Sequence, residues 1–156
     1  MNENDLFFST IQSASIENLK AQLNRNPDLV NIKDSRGFTP LIFAAYFDQE
    51  EIADILLKHN APVDDTDSLN NTALIGVAFK GNTKIASNLI KHDANINATN
   101  NNGVTPLIFA SMYNQVKMVE LLLKHAADKS IRDNDSKMAL DYAEEKKFGD
   151  IVSLLK

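Results

Sequence analysis

No cysteine occurs among the 156 residues, which excludes disulfides, thiolate zinc sites and cysteine nucleophiles. Positive charge is in short supply. Sixteen lysines and arginines face 21 aspartates and glutamates, for a net charge of −5 and an isoelectric point near 5.1. Nucleic-acid binders present basic stripes to the phosphate backbone, and an anionic membrane surface repels acidic proteins, so neither partner is expected. No run approaches the roughly 20 apolar residues of a membrane-spanning helix. The opening segment MNENDLFFST carries acids where a secretory leader has a basic stretch and a longer apolar run. A cytoplasmic protein is expected, with secretion by a route needing no such leader left open. Glycine-rich phosphate loops, G-x-S-x-G and H-E-x-x-H are all missing. No enzymatic activity, metal or cofactor is therefore expected.

What the sequence does contain is a period. TPLIFAAYFDQEEIADILLKHNAPVD begins at Thr39, TALIGVAFKGNTKIASNLIKHDANIN at Thr72, and TPLIFASMYNQVKMVELLLKHAADKS at Thr105. The offset between successive threonines is 33 residues both times, with no insertion. Leu41, Leu74 and Leu107 fall in register, as do Leu56, Leu89 and Leu122. Weaker echoes extend outward through Phe8, Leu19 and Leu23, and through Asp133, Leu140, Ile151 and Leu155. Five units follow: 1–33, 34–66, 67–99, 100–132 and a shorter 133–156. A fixed period of this length marks stacked repeats, none able to bury its apolar face alone.

Local signals agree within each unit. DSRG, DSLN and NNNG are turn-forming clusters. Thr39, Thr72 and Thr105 stand where an N-cap is needed, and Pro40 and Pro106 occupy the first helical position. A short helix is predicted from about Pro40 to Tyr46. A second is predicted from about Gln49 to His59, with Ile52, Ile55 and Leu56 on one face.

These residues resemble the ankyrin repeat, whose pattern is a turn, then T-P-L-H-x-A-A, then a second helix ending L-L-x-x-G-A. The resemblance covers nearly the whole chain. It implies an all-α solenoid of antiparallel helix pairs with projecting hairpin loops, acting as a protein-interaction module. Ile42, Ile75 and Ile108 replace the family histidine, so apolar packing takes the place of a polar brace. Asp48, Gly81 and Asn114 fill the family glycine after the first helix, and Asn60, Asp93 and Ala126 the one after the second. Asn and Asp reach the left-handed conformation at modest cost, whereas Ala126 is expected to carry about 1 kcal/mol of strain. Polar residues in both terminal units suit capping repeats, so a complete, monomeric array is expected.

Other candidate chemistry has a plainer reading. His59, His92 and His125 recur at the same offset, but stacked helices lie about 8–10 Å apart, too far for successive histidines to share an ion. Glu50/Glu51, Asp64/Asp65 and Glu144/Glu145 are neighbours that point apart on a helix and read as solvated faces.

The functional signal is apolar excess where this fold faces water. After the core residues Leu41, Ala44 and Ala45 come Tyr46 and Phe47; the corresponding stretches carry Phe79 and Lys80, then Met112 and Tyr113. The hairpins add Phe38, Leu69 and Val104. Contiguous exposed apolar area marks interaction sites, and aromatics dominate binding energy. These nine residues are the candidate contacts with a protein partner of unknown identity. Against this stands the reading in which Phe47 and Phe79, and less readily the tyrosines, lean onto the next repeat as core. An inhibitor or immunity-type protein occluding an enzyme, or a secreted effector binding a host protein, is the narrower alternative.

Overall fold

In the computed structural model, which describes residues 1–156, ten α-helices and one 3-10 turn follow one another without a strand. They fall two to a unit: α1 (Glu3–Gln12) and α2 (Ile16–Arg25), α3 (Pro40–Tyr46) and α4 (Glu50–Lys58), α5 (Ala73–Lys80) and α6 (Thr83–Lys91), α7 (Pro106–Met112) and α8 (Val116–Lys124), α9 (Ala139–Glu145) and α10 (Gly149–Leu155). The 3-10 turn Pro27–Asn31 links the first pair to the second. First helices α1, α3, α5, α7 and α9 stack in one layer, and α4, α6, α8 and α10 in another. The core runs continuously between the layers from Phe7 to Leu155.

The buried threonines start the first helices as expected. Thr39, Thr72 and Thr105 Oγ1 accept from the backbone N–H of Ile42, Ile75 and Ile108 at 3.2, 3.2 and 3.1 Å. Each removes one orphan donor of a helix only two turns long. The isoleucines that replace the family histidine are all buried. In the fifth unit Met138 holds the cap position, and the Asp141 carboxylate accepts from its N–H at 2.8 Å instead.

A carboxylate or amide also builds every hairpin. Oδ1 of Asp34 accepts from the N–H of Arg36 and Phe38, both at 2.9 Å. Asp67, Asn100 and Asp133 repeat the arrangement two and four residues on. One backbone bond then stitches each hairpin to the next: Ser68 to Arg36 at 3.1 Å, Asn101 to Leu69 at 3.1 Å and Asn134 to Asn102 at 3.0 Å. A Cβ on Gly37 would sit 2.7 Å from Ser68 N, so that stitch demands glycine there.

In the last hairpin the Tyr142 hydroxyl also donates to Asp133 Oδ2. Burial, and after it the bond to this carboxylate, pushes the Tyr142 pKa well above its ordinary value. The folded chain then keeps a proton that the unfolded chain releases above about pH 10, so stability falls as pH rises past that point. Thermal melts between pH 9 and 11.5 should show this alkaline loss, and Tyr142→Phe should lack that part of it. Parallel pH profiles for the two proteins would refute it.

Left-handed residues close the helices. Asp48, Gly81 and Asn114 follow the first helices, and Asn60, Asp93 and Ala126 follow the second, all at positive φ. Ala126 has φ 64° and is exposed, so its Cβ meets the following carbonyl with nothing gained from packing. Ala126→Gly is expected to stabilise the array by about 0.5–1 kcal/mol, relief of the clash exceeding the added chain entropy. A urea midpoint that falls on substitution would contradict this.

Candidate functional site

Three register positions shape the surface presented by the first helices. Tyr46, Phe79 and Met112 are equivalent, as are Phe47, Lys80 and Tyr113, one residue later. Three residues before the first set stand Phe43, Gly76 and Phe109. The short helices leave the outward positions open. Tyr46 is 50% exposed, Tyr113 47%, and Phe47 and Phe79 38% each, while Leu69 projects from its hairpin at 63%.

The rings form two groups. In the first, Phe47 lies 4.7 Å from Phe43 and 5.1 Å from Tyr46, whose ring is 5.6 Å from Phe38. In the second, Phe79 is 5.2 Å from Phe109 and 4.6 Å from Tyr113. Phe47 and Phe79 therefore both pack and protrude: each leans on a neighbouring ring and leaves an edge to water.

Between the groups lies a depression of about 570 Å³. Gly76, Ala73 and Val77 floor it, with Tyr46, Phe79 and Leu69 among the walls. Gly76 is what keeps it open. Glycine inside a helix costs about 0.5–1 kcal/mol relative to alanine, yet no atom outside its own helix lies within 4 Å of a Cβ built there. Where the neighbouring units carry a phenylalanine ring, this unit carries a hole.

Cations lie over three of the rings. Arg36 Cζ is 4.1 Å from the Phe38 centroid, Lys80 Nζ 5.2 Å from that of Tyr46, and Lys146 Nζ 5.3 Å from that of Tyr113. Lys80 also donates to the Tyr46 carbonyl and, at 3.0 Å, to Asp48 Oδ2. Burial opposes ionisation of Asp48, but hydrogen bonds from Asn82 and Lys80 outweigh it and hold the carboxyl below the usual range.

Not every expected contact is at the surface. Val104 is 7% exposed and belongs to the core: it lies at the entry into α7, where the neighbouring side chains cover a short branched one. Phe38, at the same register position, is too large to be covered and stays half-buried against the core. Met112 likewise packs on the core instead of standing free. Lys80 is half-buried and spent on tying two units together. Arg36, Gly76 and Phe109 escaped the sequence reading. Aligning every position of the first helices, and not only their C-terminal ends, exposes the Phe43, Gly76, Phe109 series directly.

The opposite layer is polar. On α4, Asp54 accepts from Lys58 one turn along at 2.8 Å and, across to α6, from Asn88 at 3.1 Å. The Lys58 bond, and then that of Asn88, lower its pKa. His59, His92 and His125 close the second helices, one per unit.

A family model described as ankyrin repeats (3 copies) matches residues 7–100, 62–133 and 77–156. The chain belongs to the ankyrin-repeat family. No curated protein matches the sequence. Ankyrin repeats are protein-interaction modules in general, and the aromatic face of this array lies on its first-helix layer beside the hairpins. No helix is long and apolar enough to cross a membrane.

Proposed function

We propose that this ankyrin array binds a partner protein through the face formed by α3, α5, α7 and their hairpins. Its contacts are Tyr46, Phe47, Leu69, Phe79 and Tyr113, with the half-buried Phe38 and Met112 as the packed base of the surface. The observation that supports this reading most is the pair of half-exposed ring clusters flanking an open apolar depression. Water gains nothing from such a surface, whereas a partner covering it removes apolar area from solvent. The second-helix layer, with its ladder of ion pairs and amides, offers no comparable patch. Binding rather than catalysis is the role such a face serves.

Hydrogen exchange on a purified complex tests it. Protection is expected in α3, α5, α7 and the hairpins around Arg36 and Leu69, with α4, α6 and α8 unchanged. Protection centred on the second helices would refute it. The free protein is proposed to be a monomer, its terminal helices carrying polar outer faces. Light scattering showing a stable dimer at micromolar concentration would refute that.

A further inference from the structure

We infer that the depression over Gly76 receives one aromatic side chain of the partner, carried on an acidic stretch of its chain. This rests on the groove reading above and deepens it. The period itself describes the missing occupant. Phe43 and Phe109 fill the register position on either side, and the third member of the series is a glycine. A guest ring placed there continues the row of rings, reaching Phe79 and Phe109 on one side and Tyr46 on the other. Edge-to-face and tilted pairs, the geometry of every ring contact already present, are the favoured arrangement for such a guest. The depression is within the range of about 300–1,000 Å³ found for ligand sites and is larger than one ring. Backbone and flanking residues of the guest occupy the rest.

Charge at the rim selects the flanks. Two charged residues line the depression, Arg36 and Asp67. Asp67 keeps its charge but turns its oxygens into its own hairpin, Oδ1 accepting from the N–H of Leu69 and Asn71 and Oδ2, at 3.4 Å, from the Asn71 amide. Arg36 uses Nε and Nη2 on Asp34, and Asp34 Oδ1 is in turn committed to two backbone N–H groups. Nη1 of Arg36 has no hydrogen-bond partner, so the charged donor a guest meets at the rim is a guanidinium. A carboxylate takes that donor well.

The test uses the full chain and blocked synthetic pentapeptides. The probe has phenylalanine between pairs of glutamate and aspartate; controls carry alanine in place of phenylalanine, or lysine flanks. In NMR titrations the acidic phenylalanine peptide should shift the amides of Leu69, Ala73 and Gly76 saturably, and both controls should bind at least about tenfold more weakly. Gly76→Phe, which puts the neighbours' own side chain in the hole, should weaken the probe about tenfold or more with no loss of melting temperature. Gly76→Ala should bind nearly as the parent does. Leu69→Ala and Arg36→Gln lie on the exposed rim and carry the test if Gly76→Phe does not fold. Each should weaken the probe severalfold, and Arg36→Gln should also erase the preference for acidic flanks.

Several results overturn the inference. They are no saturable shift near Gly76 at millimolar peptide, equal binding by Gly76→Phe, or toluene alone binding there as tightly as the peptide. A concentration-dependent dimer abolished by Gly76→Phe would instead seat a second copy of the chain in the hole. The two readings fail separately. A natural partner that tolerates Gly76→Phe but is lost on Tyr46→Ala and Tyr113→Ala leaves the groove standing without the pocket. One that tolerates all three removes the groove as well.

Discussion

Truncating Leu74 to alanine is expected to lower the unfolding free energy by about 3–4 kcal/mol, within the usual range for a buried leucine. Leu74 is buried in α5, and α5 packs against both α3 and α7. The cavity therefore opens inside two interfaces between units at once. In a stack where each repeat contacts only its neighbours, stability is close to a sum of unit and interface contributions. A loss in the central unit weakens the coupling of both halves. Leu140 is the same register position in the last unit, but it is only half-buried and its helix meets one flanking first helix, α7. Leu140→Ala should cost no more than about 1–2 kcal/mol, since less apolar area returns to water. Urea melts of the two variants decide this. Equal losses would mean that the array does not behave as a chain of neighbour interfaces.

Replacing Tyr46 and Tyr113 together by alanine should weaken a partner complex by at least about 2 kcal/mol, roughly thirtyfold, as expected of aromatic anchors. The same change should cost the free fold far less. From the sequence, surface tyrosines are worth only about 0.5 kcal/mol to the fold. The structure raises that figure, because each ring touches others: Tyr46 meets Phe38 and Phe47, and Tyr113 meets Phe79 and Phe109. Such ring pairs contribute about 0.5–1.5 kcal/mol beyond area burial when fully formed. Half-exposed rings retain part of this, so about 1–1.5 kcal/mol per tyrosine is expected, still well below the 3–5 kcal/mol of a buried aromatic truncation. A urea melt and a titration of the partner read the two effects independently. Loss of more than about 3 kcal/mol per site in the melt, with little change in affinity, would show these rings to be core.

Most of the architecture was legible in the sequence. The threonine caps, the proline at the first helical position, the turn clusters and the left-handed slots depend on hydrogen bonds and sterics spanning four residues or fewer. A period repeated three times made each of these local signals check the others, and the helix bounds followed: the segment from Pro40 to Tyr46 is α3 as expected. Ala126 at positive φ belongs with them, its conformation dictated by the slot in the repeat.

The face of the molecule was less legible. Phe38 and Val104 share one register position, as do Tyr46, Phe79 and Met112, yet their exposures differ. Register sets the direction of a side chain; the side chains of the next unit decide whether it is covered. That is a property of contacts across about 33 residues of sequence, and volume complementarity governs it. The sequence by itself therefore determined the fold, its capping and the layer on which apolar residues collect. Only the stacked structure decided that Val104 joins the core, that Lys80 is spent on Asp48 and the Tyr46 carbonyl, and that Gly76 leaves a hole between two groups of rings. The reason is that a missing side chain becomes a cavity only when neighbours too rigid to collapse stand around it.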